Sequence, residues 1–265
     1  MRTTIAALLL VCFVTCPWET RIKAASHSAP NTILRVMTYN IHVGVGMDTK
    51  LDLQRIADVI KNERPDFVGL QEVDRGVKRT EGKDEIAELA QLTKMQFAFG
   101  YNLAYQGGRY GVAILSRYPI DKIEHRLYEN KHGAERRGML RIEVNIAGHN
   151  ISFVTTHLDY QYEDGREFET QQLLNFLADV HGPIIVSGDF NEEPTGAAYT
   201  LMSAAFADGW LLTNGQGFSY PADQPLKRID YIFYRPSRRL RGRSMHTVST
   251  LASDHLPVVA ELELR

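Results

Sequence analysis

Short runs of β-branched and other apolar residues alternate along the chain with segments of helical periodicity. Eight such runs predict strands: Ile33–Tyr39, Phe67–Gln71, Tyr110–Leu115, Leu140–Ile146, Ile151–Thr156, Pro183–Ser187, Ile229–Tyr234 and Leu256–Leu262. Three segments place apolar residues on one helical face: Leu53–Ile60, Ile86–Ala90 and Leu173–Val180. This alternation predicts an α/β protein.

One pair of predicted strands is joined by a short turn. The turn Ala147–Asn150 separates Leu140–Ile146 from Ile151–Thr156, so these two strands run antiparallel. If the turn centres on Gly148 and His149, His157 faces Leu140. An antiparallel pair excludes a purely parallel sheet and favours a sandwich built from mixed sheets.

The first thirty residues have a different pattern. Arg2 precedes an uninterrupted apolar run over Ile5–Val14, and small residues follow from Ala24 to Ser28. The pattern is typical of a secretory leader over residues 1–29, and the run is shorter than the roughly 20 apolar residues of a membrane span. We therefore expect an exported protein, periplasmic or extracellular, with no stable membrane span after leader removal. An uncleaved N-terminal anchor is the alternative.

The remaining residues, 30–265, show no repeat and no linker, and they predict one domain. The chain has 265 residues, 44% of them apolar and 23% charged, which excludes a disordered protein. Both cysteines, Cys12 and Cys16, lie in the leader, so the domain contains no disulfide. The formal charge of -2 excludes a strongly basic nucleic-acid coat. We expect a monomer.

Polar side chains follow four of the predicted strands, at the carboxyl end where ligands bind in open α/β sheets: Asn40, Glu72, His157 and Asp189. Asp230 lies at the start of another predicted strand, and Asp254 and His255 directly precede the last one. If these later strands run antiparallel to the first four, all of these groups meet at one rim of the fold.

Six short motifs carry these residues: Met37–Ile41, Gln71–Val73, Thr156–Leu158, Gly188–Asn191, Arg228–Ile232 and Ser253–Pro257. In this order they resemble the endonuclease/exonuclease/phosphatase superfamily, whose namesake fold is that of deoxyribonuclease I. The stretch Arg109–Pro119 is similar to bacterial hydrolases of that superfamily. The resemblance implies a four-layer α/β/β/α sandwich with two mixed β-sheets and metal-assisted cleavage of a phosphate ester.

The resemblance also implies a role for each matching residue. Glu72, Asn40 and Asp254 are the expected metal ligands, and their oxygen atoms suit Mg²⁺, for which Mn²⁺ can substitute. Asp189 would orient or deprotonate the attacking water, and Asn191 would align it with the phosphate. The remaining catalytic residues are His255, which Asp230 supports, and His157, which would stabilise charge in the transition state.

Three arginines are predicted to bind substrate: Arg109, Arg136 and Arg137. A larger cluster, Arg235, Arg238, Arg239, Arg241 and Arg243, follows Asp230. A strand advances about 3.3 Å per residue, so the chain has moved roughly 16 Å from Asp230 by Arg235. We therefore expect the larger cluster at the pole opposite the catalytic rim.

Three functions remain open at this level, because sites rather than folds determine substrates. The first is a hydrolase, either phosphodiesterase or phosphatase, acting outside the cytoplasm on small or lipid-linked phosphates. The alternative is an extracellular Mg²⁺-dependent endonuclease or exonuclease, with nucleic acid as its substrate. The third is a secreted binding protein that lacks catalysis. The absence of a basic coat disfavours the nuclease, since polyanion binding relies on lysine and arginine.

Overall fold

The computed structural model describes residues 32–213 and 215–265, and the predicted leader lies outside them. The four helices are α1 (Leu53–Glu63), α2 (Glu85–Thr93), α3 (Glu163–Leu177) and α4 (Ala197–Ala205). The strands are β1 (Thr32–Asn40), β2 (Phe67–Arg75), β3 (Gln96–Tyr105), β4 (Gly108–Ser116), β5 (Lys122–Leu127), β6 (Gly138–Ile146), β7 (His149–His157), β8 (Ile184–Asp189), β9 (Ala207–Asp208), β10 (Asp230–Tyr234), β11 (Leu240–Thr247) and β12 (Val258–Leu264). Among the residues described, no helix is both long enough and apolar enough to cross a bilayer.

The strands form two six-stranded mixed sheets that pack face to face. Their orders are β11-β12-β1-β2-β4-β3 and β5-β6-β7-β8-β10-β9. Apolar side chains from both sheets fill the space between them, where the rings of Phe67 and Phe153 stack 5.1 Å apart. Helices α1 and α2 cover the outer face of the first sheet, and α3 and α4 cover that of the second. The predicted four-layer sandwich is confirmed.

The hairpin between β6 and β7 differs from its prediction. Its turn contains only Ala147 and Gly148, both with positive φ (51° and 83°), as in a tight two-residue hairpin turn. His149 already pairs with Ile146, so Gly138, not Leu140, faces His157. The predicted turn centre was wrong, and the tighter turn places Arg137 directly beside the pair that contains His157.

Three of the strands that the hydrophobic pattern did not predict, β3, β5 and β11, lie at or beside open sheet edges. β3 and β11 mix buried with exposed residues, whereas β5 has no buried residue and carries the charged residues Lys122, Glu124 and Arg126. Charged and polar side chains protect an edge strand from pairing with other chains, but they also weaken its apolar signal.

The strand directions bring the predicted site residues to one end of the sandwich. Asn40 pairs with Gln71 across parallel strands, and His157 pairs with Asp189 in the same way. β10 runs antiparallel to β8, so that Asp230 faces Asp189. At the opposite pole Leu240 pairs with Leu264, which pairs with Thr32 at the start of β1. The large arginine cluster lies at that far pole, as predicted.

Candidate active site

The two sheets approach each other closely just below the site. A Cβ atom on Gly69 of β2 would lie 2.2 Å from Ser187 Oγ and 2.6 Å from Thr155 Oγ1, so only glycine fits there. Two residues along β2, Gln71 donates to Thr155 Oγ1 at 2.8 Å and thereby joins the sheets by a buried hydrogen bond. The floor of the site is therefore fixed by contacts between the two sheets.

Glu72 reaches the site from a β-bulge. The register of β2 against β4 shifts between Leu70 and Val73, and Glu72 has a φ of 56°, in the left-handed region. Such a conformation is costly for a residue with a side chain and is concentrated at functional sites. Strand β2 continues past Glu72 to Arg75, whereas the sequence predicted its end at Gln71. The bulge turns the half-buried Glu72 carboxylate into the cleft.

Asn40 lies between two carboxylates and presents its amide nitrogen to both. Nδ2 donates to Glu72 Oε1 at 3.1 Å and to Asp189 Oδ2 at 3.0 Å. The amide oxygen accepts the backbone N–H of His42 at 3.1 Å, which fixes this orientation. In this arrangement the Asn40 oxygen is engaged with the His42 backbone, and the predicted metal ligation through that oxygen stays a prediction. Asn40 holds the two carboxylates in position.

Asp189 lies at the centre of the cluster. Its Oδ1 accepts the backbone N–H of Asn191 at 2.8 Å. Its Oδ2 lies 3.5 Å from His157 Nε2 and 3.7 Å from His255 Nε2. Burial, and then the nearby charge of Asp230, raise the pKa of Asp189 to about 7. A carboxylate with this pKa is suited to accept a proton near neutral pH.

His255 is held by a carboxylate. Its Nδ1 donates to Asp230 Oδ2 at 2.9 Å, and that oxygen also accepts the Ser219 hydroxyl at 2.7 Å. Burial opposes a charge on the ring, but Asp230 and Asp189 outweigh it and raise the pKa of His255 to about 10. His255 is therefore an imidazolium at neutral pH.

His157 is held by a guanidinium instead. Arg137 Nη1 donates to His157 Nδ1 at 2.9 Å, and the Arg137 side chain is 3% exposed. A guanidinium carries only donors, so Nδ1 accepts and the ring proton lies on Nε2, toward Asp189. Burial, and then the charges of Arg137 and His255, lower the pKa of His157 well below its usual value. The ring is neutral with its proton on Nε2, so Asn191 Nδ2, which lies 3.0 Å from Nε2, is a second donor there and donates instead to the Leu158 carbonyl.

Most of the predicted residues line or support one cleft of about 710 Å³. Asp254 lies at its edge, where its side chain is 30% exposed and 3.8 Å from His42 Nδ1. Arg137 lines the cleft, but its neighbour Arg136 is exposed and does not. Arg109 lies over the Tyr101 ring in a separate depression, so its predicted contact with substrate is wrong. The register of the hairpin selects Arg137 from the predicted pair.

One group of three side chains has metal-ligand geometry: the candidate ligand atoms of Asp189, Asp230 and His255 all lie within 4.8 Å of one another. A metal ligand must be a neutral imidazole, whereas the raised pKa of His255 keeps it protonated. The charge of the imidazolium offsets one of the two carboxylate charges. Glu72 fits a hard cation better, because its only hydrogen bond within the described residues comes from Asn40.

The sequence did not reveal three side chains that complete the site. Ser219 supports Asp230, and the Tyr220 ring lies 4.8 Å from the His255 ring. Arg79 lines the cleft on the side of the first sheet. The contacts of Ser219 and Tyr220 depend on where a loop folds back, which no local pattern indicates.

Comparisons with known proteins agree with this geometry. The profile of the Endonuclease/Exonuclease/phosphatase family matches residues 37–255. The protein YbhP of Escherichia coli (strain K12) is 30% identical over 250 residues, which cover 87% of this chain and 96% of YbhP.

Solved structures agree as well. An endonuclease/exonuclease/phosphatase from Beutenbergia cavernae is 26% identical with a TM-score of 0.74, over 88% of this chain and 72% of that one. A mannosyl-6-phosphatase from Bacteroides thetaiotaomicron shares the fold, with 16% identity and a TM-score of 0.72 over 86% of this chain and 99% of the other. The family match spans most of the chain and includes all eight of its predicted catalytic and metal-site residues. The chain belongs to the endonuclease/exonuclease/phosphatase family, whose members are divalent-metal-dependent hydrolases of phosphate esters.

Proposed function

We propose that this chain is an exported, divalent-metal-dependent phosphoesterase that hydrolyses small or lipid-linked phosphate esters outside the cytoplasm. The observation that carries the proposal is the contrast around Asp189, where one neutral and one charged histidine flank a carboxylate with a pKa of about 7. A proton acceptor and two different hydrogen-bond donors thus converge on one point of the cleft.

Glu72 is the principal residue proposed to hold the metal, and Asp254 is the second. Both offer carboxylate oxygens to the same cleft, as Mg²⁺ and Mn²⁺ prefer. Mg²⁺ keeps several of its waters, so one or two protein ligands are sufficient. A cation bound there would supply charge that neutralises the phosphate oxygens.

Asp189 is the proposed acceptor of the proton from the attacking water. Its carboxylate is oriented at both oxygens, by the Asn191 backbone N–H and by the Asn40 amide. A fixed orientation places the water for in-line attack on phosphorus and avoids reorganisation during the reaction. Asn191 has a φ of 49°, and its amide nitrogen donates to the Leu158 carbonyl, which holds it close to His157.

The two histidines are the proposed donors to the phosphate. His157 offers a neutral Nε2–H, and His255 offers the Nε2–H of an imidazolium. Both hydrogen bonds become stronger as negative charge develops on the phosphoryl oxygens. Arg137 serves here through His157, because its Nη1 is engaged with the Nδ1 atom of that ring.

The cleft favours a compact substrate over a nucleic acid. Seven carboxylates line it, against five cations: Arg79, Arg137, Arg166, Lys227 and the His255 imidazolium. The one large arginine cluster lies at the far pole, where it does not reach the scissile bond. A polyanion needs a continuous basic track, which this distribution does not provide. A volume of about 710 Å³ is in the range of sites for small molecules.

A substrate panel tests the proposal. Purified protein is assayed on p-nitrophenyl phosphate, bis(p-nitrophenyl) phosphate, a short-chain phospholipid and single- and double-stranded DNA, with EDTA, Mg²⁺ or Mn²⁺. We expect metal-dependent release from one or more of the small or lipid esters. Turnover of DNA alone would favour the nuclease, and no turnover at all would favour the binding protein.

Export is tested by cell fractionation, with intact mass showing whether residues 1–29 are removed, and light scattering tests the expected monomer.

A variant of Glu72 tests the metal site separately. Glu72→Gln should abolish tight Mg²⁺ or Mn²⁺ binding in calorimetry, because it removes the charge of the proposed ligand while preserving its shape. Glu193→Gln is the matched control, since Glu193 also lines the cleft but lies on the other wall and is exposed. Unchanged metal affinity in Glu72→Gln would remove Glu72 from the site.

A further inference from the structure

Arg79 is a cation on the wall of the active-site cleft that the chemistry at Asp189 does not use. It lies seven residues after Glu72, in a short 3-10 turn over Lys78–Thr80 between β2 and α2. Its side chain is 35% exposed and lines the same cleft as Glu72 and Arg137. The loop is tied to the neighbouring hairpin, because the Arg79 backbone N–H donates to Gln106 Oε1 at 3.0 Å.

The guanidinium is fixed along one edge. Nε donates to Asp74 Oδ2 at 2.8 Å and Nη2 donates to Asp74 Oδ1 at 3.0 Å. Asp74 is fully buried and also accepts the Thr80 hydroxyl. Within the described residues, Nη1 has no acceptor, so its two N–H groups remain available. Because Asp74 engages Nε and Nη2, the edge of the planar Arg79 guanidinium that carries Nη1 remains open on the wall of the cleft.

Aromatic rings fix the plane of the same group. The Arg79 guanidinium carbon lies 4.6 Å from the Tyr105 ring centre and 5.2 Å from that of Tyr110, and both rings line the cleft. Burial disfavours the charge, but Asp74 and the two tyrosines outweigh it and raise the pKa of Arg79 above its usual value. The donor edge is therefore permanently charged and pre-organised.

Glu135 interacts with both Arg79 and Arg137. Its Oε1 lies 2.8 Å from Arg137 Nη1, and it also interacts electrostatically with Arg79. Arg137 in turn contacts His157. Arg79 and Asp189 thus line one cleft, in which a substrate with its scissile phosphate at Asp189 can present a second group to Arg79.

We propose that Arg79, with Tyr105 and Tyr110, forms a subsite for a second phosphate group on the substrate, so that bisphosphorylated small molecules are preferred over their monophosphates. The inference rests on the proposed phosphoesterase function and deepens it. A planar fork of free N–H groups matches the oxygens of a phosphate group, and charge-assisted hydrogen bonds of this kind are stronger than neutral ones. A neutral substituent would gain less from a fixed cation.

The end of β2 supplies a matched control. Arg75 also pairs with a carboxylate through two hydrogen bonds, to Asp84 at 2.9 and 2.6 Å, and also lies over an aromatic ring, 5.1 Å from Phe99. Its side chain is 31% exposed, close to the value for Arg79. Arg75, however, lines the separate depression next to Arg109 rather than the catalytic cleft. Arg75→Met therefore removes a second two-bond ion pair without touching the proposed subsite, although its partner Asp84 is 40% exposed whereas Asp74 is fully buried.

The experiment compares glucose 1-phosphate with glucose 1,6-bisphosphate on wild-type protein, Arg79→Met and Arg75→Met. We expect the wild type and Arg75→Met to favour the bisphosphate by about 10- to 100-fold in kcat/KM, the range of one strong charged contact. In Arg79→Met the ratio of kcat/KM for the bisphosphate to kcat/KM for the monophosphate should fall close to one, mainly because KM for the bisphosphate rises. Calorimetric dissociation constants on metal-free protein give the same ratio without turnover, so that a failure of the subsite is distinguishable from a failure of the phosphoesterase function.

Three results would overturn the proposal. A wild-type ratio near one in both kcat/KM and dissociation constant would show that no second phosphate is recognised. An equal loss on both ligands in Arg79→Met would mean that Arg79 only maintains the cleft wall. The same loss of ratio in Arg75→Met would assign the effect to the stability of the loop, which thermal melting of both variants measures independently.

Discussion

His157 and His255 lie on two sides of Asp189, both buried, yet the protein holds them in opposite protonation states. The difference comes from what contacts Nδ1: the Arg137 guanidinium in one case and the Asp230 carboxylate in the other. Burial disfavours the charged ring at both positions. Only at His255 do neighbouring carboxylates overcome it. Burial alone therefore does not decide the state of a buried histidine here; its Nδ1 partner does.

The largest loss of turnover is expected when Asp230, the hydrogen-bond partner of His255, is replaced. Asp230→Asn should lower turnover by about 10²- to 10⁴-fold, because the ring loses its charge and its fixed orientation. The loss should not add to that of His255→Ala, since the two residues act as one unit. Steady-state kinetics of the single and double variants check this, and fully additive losses would show that the residues act independently.

A smaller loss, in kcat/KM, is expected when Arg137, the hydrogen-bond partner of His157, is replaced. Arg137→Met should lower kcat/KM by about 10- to 100-fold, because His157 loses the contact that fixes its proton on Nε2. Arg136→Met is the matched control and should stay close to wild type, since Arg136 is exposed and does not line the cleft. Neutralising Arg238, Arg239 and Arg241 together should also have little effect. A larger loss of kcat/KM in the triple variant than in Arg137→Met would contradict the placement of the arginine cluster at the pole opposite the cleft. It would also favour the nuclease function.

The smallest expected effect is on the free energy of unfolding, whose dependence on pH has opposite signs for the two histidines. The pKa of His255 is raised, so its ion pair stabilises the fold fully below pH of about 6.5 and is lost as pH rises toward about 10. The pKa of His157 is lowered, so the unfolded chain takes up a proton first and stability falls as pH drops below about 6.5. Asp189 and Glu169, whose pKa values are both raised to about 7, contribute slopes opposite in sign to that of His157, so urea unfolding across this range is compared between the wild type and each variant. Asp230→Asn should flatten the alkaline slope and Arg137→Met the acidic one; a variant that flattens the opposite slope would contradict the assignment.

The sequence located most of this site because its residues follow strands that have a strong apolar signal. Asn40, His157 and Asp189 lie at the carboxyl ends of buried strands, and the structure shows that these strands pair in parallel. The hairpin register could not be inferred with the same certainty, because an error of one residue in the turn length changes every facing pair. The observed two-residue turn shows that Arg137, rather than Arg136, lies beside the pair that contains His157.

Other features had no local signal. The bulge at Glu72 depends on how β2 pairs with β4, and the amide orientation of Asn40 depends on Glu72, Asp189 and the His42 backbone together. Ser219 supports Asp230 from a loop whose path is set by tertiary packing. The sequence alone assigned candidate ligands, whereas the folded chain assigns which atom of each one faces the cleft.

The most direct test of the central comparison is an NMR titration of the histidine rings in metal-free protein, with resonances assigned from His157→Gln and His255→Gln. We predict that His255 stays protonated through neutral pH and titrates near pH 10, while His157 stays neutral with its proton on Nε2 to well below pH 6.5. In Asp230→Asn the pKa of His255 should fall, and in Arg137→Met the pKa of His157 should rise. Two rings that titrate together near pH 6.5 in the wild type would contradict the account.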